Sequence, residues 1–471
     1  METVFDAHVD PGLIERALAA STFNSMWLEI PRPDYPRATG SIICDLLVVG
    51  GGYTGLWTAL HAAQRNPDRR IVLIDANRIG WAASGRNGGF VDASLTHGRE
   101  NGKTRWPNEI DALEAMGREN LDGMQADIES LGLDAEWQRT GMLLVATEPH
   151  QVDWLADAAA EGEGQQLGLR EVRDEVHSPT YLAGLYNPDT CAIVHPAKLA
   201  FELARACQEA GVRIYEHTNA QHLDSAGVAL RIQAADASFT CRNAVLATNV
   251  FPSLLRRNRL HTVPVYDYVL ATEPLTDAQL YRIGWRRRQG IGDCANQFHY
   301  YRLTMDNRIV WGGYDAVYHF GRKVDDRYED RASTYRRLAA HFSSPSLRST
   351  TSDSPTGGRA PLTPTRDSAR TGDSPATGGW RMSTATPDSA SPRRGLPPTC
   401  VSISSTAPRR PAPNWRWCAG GRSRSRRSRL PASASKRRGG RWIAPTIPRV
   451  GATSCCARSM RWGSASIPDS W

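Results

Sequence analysis

The chain has 471 residues, and its 57 Lys and Arg against 49 Asp and Glu give a formal net charge of +8 that is unevenly held. Residues 1–342 carry 35 basic and 44 acidic side chains, net −9, whereas residues 343–471 carry 22 basic side chains and 5 aspartates, net +17. The overall basicity therefore does not mark the whole chain as nucleic-acid binding. No run approaches the ~18 apolar residues of a membrane span, and nine cysteines without a CxxC pair favour neither a zinc site nor a disulfide framework.

Residues 1–41, with Pro31, Pro33 and Pro36, read as an extension laid over the surface before the first strand. Glu2 and Asp6 near its start, with no apolar core, give no sign of a signal peptide, and a reducing cytoplasm is the expected location.

Leu46-Leu47-Val48-Val49 predicts a buried parallel strand, and Leu56, Ala59, Leu60 and Ala63 recur at helical spacing. Between them lies Gly50-Gly51-Gly52-Tyr53-Thr54-Gly55. In a strand, turn and helix of this spacing, Gly50 allows the sharp turn, Gly52 lets the backbone approach a pyrophosphate, and Gly55 lets the helix pack on the strand. The anion would sit on N–H groups at the helix N-terminus. A second apolar run, Ile71-Val72-Leu73-Ile74, ends in Asp75, twenty residues after Gly55, where a carboxylate can accept from a ribose hydroxyl. That favours FAD or NAD over NADP. A purely structural glycine turn is the competing reading, but two strands, a helix and the acid together make the motif specific.

An NAD domain would continue with another strand and helix. This chain has a glycine-rich loop instead, Ala82-Ala83-Ser84-Gly85-Arg86-Asn87-Gly88-Gly89-Phe90, whose small residues and backbone donors allow main chain to pass close to a flat ring or phosphates. Taken alone, an ordinary surface turn explains it too.

Residues 109–131 and 151–167 read as helices, with a strand at 140–147 between them that belongs to a second domain. Residues 197–210 have helical spacing at Leu199, Leu203 and Ala206, and 212–216 reads as a strand returning the chain to the first sheet. The strand at 244–247 would bring Ala247 and Thr248 near a cofactor, although a core strand with a polar end explains the segment as well. From 262 to 317 the pattern is β-rich, with Tyr266, Tyr268, Tyr300, Tyr301 and Trp311 able to cover a cofactor face or simply to pack. His97, His195, His299 and Tyr301 are candidates for chemistry only, and His195 before Pro196 can equally shape a helix entrance. The residues name no catalytic base.

The segment from Cys44 to Gly55, Asp75 and the Ser84-to-Gly89 loop resemble the FAD-dependent D-amino acid oxidase and glycine oxidase superfamily, and within it the γ-glutamylputrescine oxidase-like branch. Supporting signals are Thr140-Gly141-Met142-Leu143-Leu144-Val145, His195-Pro196-Ala197-Lys198-Leu199, Ala244 to Asn249, Pro264 to Tyr268 and Trp311-Gly312-Gly313-Tyr314. The resemblance covers about 27–342. It implies an α/β fold in which an FAD-binding Rossmann-like domain of glutathione-reductase type (42–105 and 191–258) is interleaved with an α+β substrate domain (106–190 and 259–342). It implies FAD contacts from Gly50, Gly52, Tyr53, Thr54, Gly55, Asp75, Ala76, Ser84, Gly85, Arg86, Asn87, Gly88, Gly89, Ala247 and Thr248, with Ala220 at the position where backbone meets the adenine. The implied reaction oxidises the C–N bond of an amine or amino acid, a γ-glutamylputrescine-like substrate included. Hydride passes to flavin, and oxygen or another acceptor takes the electrons. The Ser84-to-Gly89 loop argues against the alternative of an NAD-dependent dehydrogenase.

Residues 343–471 break this pattern. They are rich in Ser, Pro, Arg, Thr and Gly, contain no Glu, Phe or Tyr, and hold a single lysine, Lys436. A basic disordered segment is one reading, with Arg422 to Arg429 able to neutralise phosphates without sequence preference. Six tryptophans and the pair Cys455-Cys456 are unusual for a solvating tail. A frameshift close to Phe342 in a GC-rich gene accounts for the composition better. The resemblance points the same way, because the family's last sheet strand and a Gly-Tyr-x-Gly-x-Gly-like segment beside the flavin have no match there. The alternative to an active enzyme is therefore an inactive flavoprotein fragment with a basic tail.

Overall fold

The computed structural model describes residues 3–6, 8–226, 229–255, 262–344, 362–371 and 383–385. Its first sheet runs, from one edge, through Arg213–Tyr215, Ile71–Ile74, Gly40–Val49, Ala237–Leu246, Ala229–Gln233 and His222–Ala226. The first four strands are parallel and the last two antiparallel. Strand alternation divides the apolar run of the central strand: Leu46 and Val48 enter a core shared with Leu56, Leu60, Leu199 and Leu203, while Leu47 and Val49 enter another with Val72, Ile74, Ile232 and Phe239. Both faces are thus covered, which is why the run reads as continuously apolar. The helices Tyr53–Arg65 and Pro196–Glu209 cover one face.

The second sheet has the order Leu362–Thr371, Val265–Thr272, Ile309–Gly313, His299–Leu303, Gly290–Asp293, Met142–Ala146, Ala183–Asn187 and Gln165–Leu167. The chain enters it at Met142, returns to the first sheet for residues 213–246, and enters it again at Val265. The two domains are interleaved, as the Rossmann-like and α+β reading expects. One face of this second sheet buries Tyr266, Tyr268, Tyr301, Leu303 and Trp311 in a core of their own, and the other turns Tyr300, Val269 and Val310 toward the core of the first domain.

Three expectations change at element level. The segment 1–41, expected as a surface extension, holds a helix, Pro11–Leu18, with Leu13 and Ile14 buried, inserts Trp27 into the core of the first domain and begins the central strand at Gly40. The helix expected at 151–167 is Pro149–Ala160, because Gly162 at φ 83° breaks the spiral, and Gln165–Leu167 is a strand paired to Ala183–Asn187. The expected strand at 244–247 is the end of a ten-residue strand, Ala237–Leu246. Within the compositionally distinct segment, Leu362–Thr371 pairs antiparallel to Val265–Thr272, and Ser383–Ala385 pairs antiparallel to Ala244–Leu246. The tail residues Lys436, Arg422 to Arg429 and Cys455-Cys456 lie outside the described residues.

Candidate functional site at the domain junction

Gly50 follows the central strand at φ +118°, a conformation that disfavours side chains, and a Cβ there would lie 2.4 Å from the Ala247 carbonyl oxygen. Ala247 in turn donates its N–H to the Val49 carbonyl (2.8 Å), so the ends of the two strands close against each other, with half-buried Thr248 next in line. At Gly55 a Cβ would lie 1.8 Å from the Gly50 carbonyl oxygen, so this glycine is what lets the helix sit on its strand. Gly52 has a different neighbour: its Cβ would approach the Ser84 hydroxyl to 2.8 Å. The Tyr53 N–H donates to that hydroxyl (3.1 Å), which puts Ser84 at the helix N-terminus. The Tyr53 phenol reaches away and donates to the Pro196 carbonyl (2.8 Å); Thr54 is half-buried on the first turn, its carbonyl accepting from Thr58 Oγ1 (2.6 Å).

Asp75 ends its strand with one oxygen accepting from the Gly51 N–H and the other from the Asn77 N–H, each at 2.7 Å. Burial pushes the carboxyl pKa up, and these two N–H groups pull it back down. A carboxylate has about four acceptor directions, so hydroxyl groups of a ribose can still be taken. The segment 216–220 runs beside this corner: the Thr218 N–H donates to the Asp75 carbonyl (2.7 Å) and the His217 N–H to the Asn77 carbonyl (2.8 Å). Exposed Ala76 and Thr218, Asn219 and Gln221 line a cavity of about 280 Å³, with Arg37 and Asp236 at its polar side. Ala220 lies in the same segment, packed against the apolar core behind it.

The loop after Asp75 is braced from within. Ala83–Arg86 is one helical turn, and a Cβ at Gly85 would lie 2.0 Å from the Gly80 carbonyl oxygen. Asn87 donates to the carbonyls of Ala83 and Ser84 (both 3.0 Å) and accepts from the Gly89 N–H (2.8 Å). Arg86 is buried and its guanidinium makes a two-pronged ion pair with Glu329, 3.0 and 3.3 Å. The Arg86 side chain is thus committed to the second domain, which leaves its backbone as the part available to a cofactor. Gly88 and Gly89 meet the second sheet directly. A Cβ at Gly88 would lie 2.6 Å from the Tyr300 ring, and one at Gly89, where φ is +75°, would lie 3.0 Å from the Arg302 guanidinium and 2.4 Å from the Val194 carbonyl oxygen.

Tyr300 and Arg302 share one face of His299–Leu303. The Tyr300 hydroxyl donates to Asp267 Oδ2 (2.5 Å), and burial pushes the Asp267 carboxyl up to about 7 despite that bond. Arg302 is 2% exposed, lies with its Cζ 5.0 Å over the Trp27 ring, and is pushed down to about 9 by burial. Sequence reasoning missed both Asp267 and Arg302 as site residues. The available signal was the charged residue inside each otherwise apolar strand, at a position that period 2 assigns to the same face as Tyr300 or Val269.

The four residues singled out for chemistry, His97, His195, His299 and Tyr301, do not come together. His299 and Tyr301 point to the opposite face of that strand. His299 is fully buried, bonded through Nδ1 to Asp293 (2.7 Å) and through Nε2 to His341 (2.9 Å), and Tyr301 meets the Tyr181 hydroxyl (2.6 Å). His195 is the N-cap of Pro196–Glu209, its Nδ1 accepting from the Lys198 N–H (3.2 Å), and burial lowers its pKa to about 4. His97 stands in a bend at φ 61°.

A glycine turn at a helix N-terminus, an acid at the end of the next strand and a two-sheet junction over the following loop define a nucleotide-cofactor oxidoreductase. The sequence pattern of the FAD dependent oxidoreductase family (DAO) matches residues 45–382, and the chain belongs to that family. The match runs forty residues past the point where the sequence reading ends the resemblance. The chain is 33% identical over 300 residues to γ-glutamylputrescine oxidoreductase of Escherichia coli, covering 61% of this chain and 67% of that protein. It is 26% identical over 297 residues to the probable oxidoreductase OrdL of Haemophilus influenzae, covering 59% and 66%. It thus spans about two thirds of the length of each. Among solved structures it shares the fold of glycine oxidase from Geobacillus kaustophilus (TM-score 0.50, 21% identity, 60% of this chain and 74% of that one). L-proline dehydrogenase from P. horikoshii also shares it (TM-score 0.52, 15% identity, 71% and 89%). FAD is the cofactor of this family, and the residues present are compatible with it: the bare backbone of Gly50 and Gly52 leads into a helix N-terminus, and the Asp75 carboxylate stands at the end of the neighbouring strand. Among the described residues no helix is long and apolar enough to cross a membrane.

Proposed function

We propose that the chain oxidises the C–N bond of a small amine or amino acid, with γ-glutamylputrescine-like molecules among the candidate substrates. The carrying observation is the meeting of Gly88 and Gly89 of the cofactor loop with Tyr300 and Arg302 of the second sheet. Bound FAD supplies a two-electron acceptor for the hydride released when the substrate C–H breaks. As the hydride leaves, the nitrogen lone pair would close the C=N bond to an iminium ion, which water would split into a carbonyl compound and an ammonium ion that keeps the N–H proton, and oxygen or another acceptor would take up the electrons. In this reading Gly52, Ser84 and the N–H groups at the start of Tyr53–Arg65 hold the pyrophosphate. Asp75 holds a ribose, and the backbone beside Ala76 and Ala220 borders the adenine. Gly50, Thr54, Gly55, Ala247 and Thr248 shape the floor. Burial at the junction keeps water from the reacting carbon and favours the neutral amine from which hydride can leave. The likeness to γ-glutamylputrescine oxidoreductase supports the amine assignment.

Anaerobic mixing of the purified, flavin-loaded chain with a panel of primary and secondary amines tests this. Bleaching of the flavin absorbance by at least one amine, with formation of the matching carbonyl product, is expected. A flavin-loaded chain that no amine bleaches would instead support the inactive-fragment alternative. We also infer that the coding sequence changes frame near the codon for Phe342, on the strength of the compositional break. Resequencing that region tests it: an indel whose correction restores a Gly-Tyr-x-Gly-x-Gly segment is expected, and an unchanged read would overturn it.

A further inference from the structure

The central strand Gly40–Val49 and its parallel neighbour Ala237–Leu246 set two cysteines side by side, because Cys44 and Cys241 are register partners. Neighbouring strands run about 4.8 Å apart, which falls inside the ~4.4–6.8 Å between Cα atoms that a disulfide spans. Both thiols face the same core, beside Leu230 and Phe239, and are 3% and 2% exposed. They share a hydrogen bond, which raises the Cys44 pKa and lowers that of Cys241, and the Leu47 N–H also donates to the Cys241 sulfur. The Arg213 guanidinium, bonded to the Ile43 carbonyl (3.5 Å), favours a thiolate here, and Asp45, which opposes it, is paired with Arg70 at 2.9 Å. Two donors on one sulfur make Cys241 the nucleophile and leave Cys44 placed to resolve what it forms. Two other buried cysteines have a different setting: Cys207 donates to the Leu56 carbonyl (3.3 Å) and Cys191 to the Ala192 carbonyl (3.4 Å).

We propose that Cys44 and Cys241 are a modification site, a dithiol that a small hydroperoxide closes to a disulfide between the two strands. The Cys241 sulfur attacks one peroxide oxygen, the O–O bond breaks, and the departing hydroxide leaves as water with the Cys241 proton, giving a sulfenic acid. The Cys44 sulfur then attacks that of Cys241, the S–O bond breaks, and the second oxygen leaves as water with the Cys44 proton. Two thiols lose two electrons and one peroxide becomes two waters. A resolving thiol this close stops the oxidation short of the irreversible sulfinic acid. Burial of both sulfurs shuts out bulky disulfides as oxidants and leaves a water-sized one. Both cysteines lie upstream of the strand ends at Gly50 and Ala247, so the link ties together the two strands that carry the cofactor turn. In the amine-oxidising reading, oxygen taking the electrons would form hydrogen peroxide on this same chain, but the cysteine pairing does not depend on that reading.

In the test, full-length protein is reduced, desalted, treated with hydrogen peroxide while folded, then unfolded in the presence of an alkylating agent and mapped by mass spectrometry. A peptide pair joined through Cys44 and Cys241, two hydrogens lighter than its separate parts and released by reductant, is expected, with Cys207 recovered as the alkylated thiol. Cys44→Ser should carry Cys241 on to the sulfinic acid, and Cys241→Ser should leave Cys44 reduced. The linked pair in the parent is decisive even if either variant fails to fold. Recovery of Cys44 and Cys241 as alkylated thiols while Cys455 and Cys456 are oxidised would overturn the inference. Sulfinic acid at Cys241 of the parent without the linked pair would overturn it as well. Neither result touches the amine-oxidising reading, because no amine and no flavin turnover enter the measurement.

Discussion

Gly89 and Arg302 meet across the domain junction with 3.0 Å between the guanidinium and the position a Gly89 Cβ would occupy. Glycine is needed there both for φ +75° and for the room, since a Cβ would also lie 2.4 Å from the Val194 carbonyl oxygen. Gly89→Ala is expected to destabilise the fold by about 2 kcal/mol or more, combining backbone strain with two close contacts. A lowered urea midpoint, with an unchanged denaturant slope, is the measurement.

Gly52 and Gly55 belong to one motif but should fail differently. Gly55→Ala puts a methyl 1.8 Å from the Gly50 carbonyl oxygen, so the helix must leave its strand, and little folded protein is expected. Gly52→Val meets only the Ser84 hydroxyl at its Cβ, so the chain should fold while losing flavin. Circular dichroism beside flavin absorbance separates the two. Flavin retained at full occupancy in Gly52→Val would count against the phosphate role of this loop.

Asp75 has a structural duty as well as the proposed ribose contact. Asp75→Ala removes the acceptor for both the Gly51 and Asn77 N–H groups and should cost about 1–3 kcal/mol of stability per N–H left unsatisfied. Asp75→Asn keeps one acceptor oxygen and should weaken flavin binding with a smaller loss of stability. Thermal melts with and without added FAD resolve the two effects.

The Arg86–Glu329 pair is buried on both sides. Glu329→Gln leaves the guanidinium without a counter-charge in that pair and should cost about 3–5 kcal/mol. Because Arg86 belongs to the loop that carries Gly88 and Gly89, the same change should loosen flavin binding. Isothermal denaturation of the variant and its parent checks the first part, and FAD titration the second.

Asp267 gives a pH dependence. Burial raises its folded pKa to about 7, above the unfolded carboxyl value of about 3.9, so the folded state holds the proton more tightly. Its contribution to stability is full below the unfolded pKa and is lost as pH rises through about 7. Asp267→Asn removes that loss, so the variant should gain in Tm relative to the parent on going from pH 5 to pH 8. A Tm difference that does not change with pH would contradict the raised value.

Much of the cofactor half of this site was legible in the sequence, because each feature is local. The glycine spacing, the acid at the end of Ile71–Ile74 and the loop at 84–89 need only a strand and a helix to acquire meaning, and those periods were plain. The second wall was not legible. Tyr300 and Arg302 reach the loop only because residues 265–313 fold into a sheet whose alternation sends His299 and Tyr301 the other way, and a one-residue choice of face separates the two pairs. Arg86 shows the same limit: its place in the loop is local, but its commitment to Glu329, 243 residues away, is not.

FAD held by the chain at the Gly50-to-Gly55 turn is the relationship on which every functional role proposed for these residues depends. Purified full-length protein and its Gly52→Val variant should be desalted and their visible spectra recorded at equal folded concentration. Flavin absorbance near one FAD per chain in the parent and near none in the variant is the predicted result. A colourless parent that takes up no added FAD, or a variant that keeps it, would contradict the site described here.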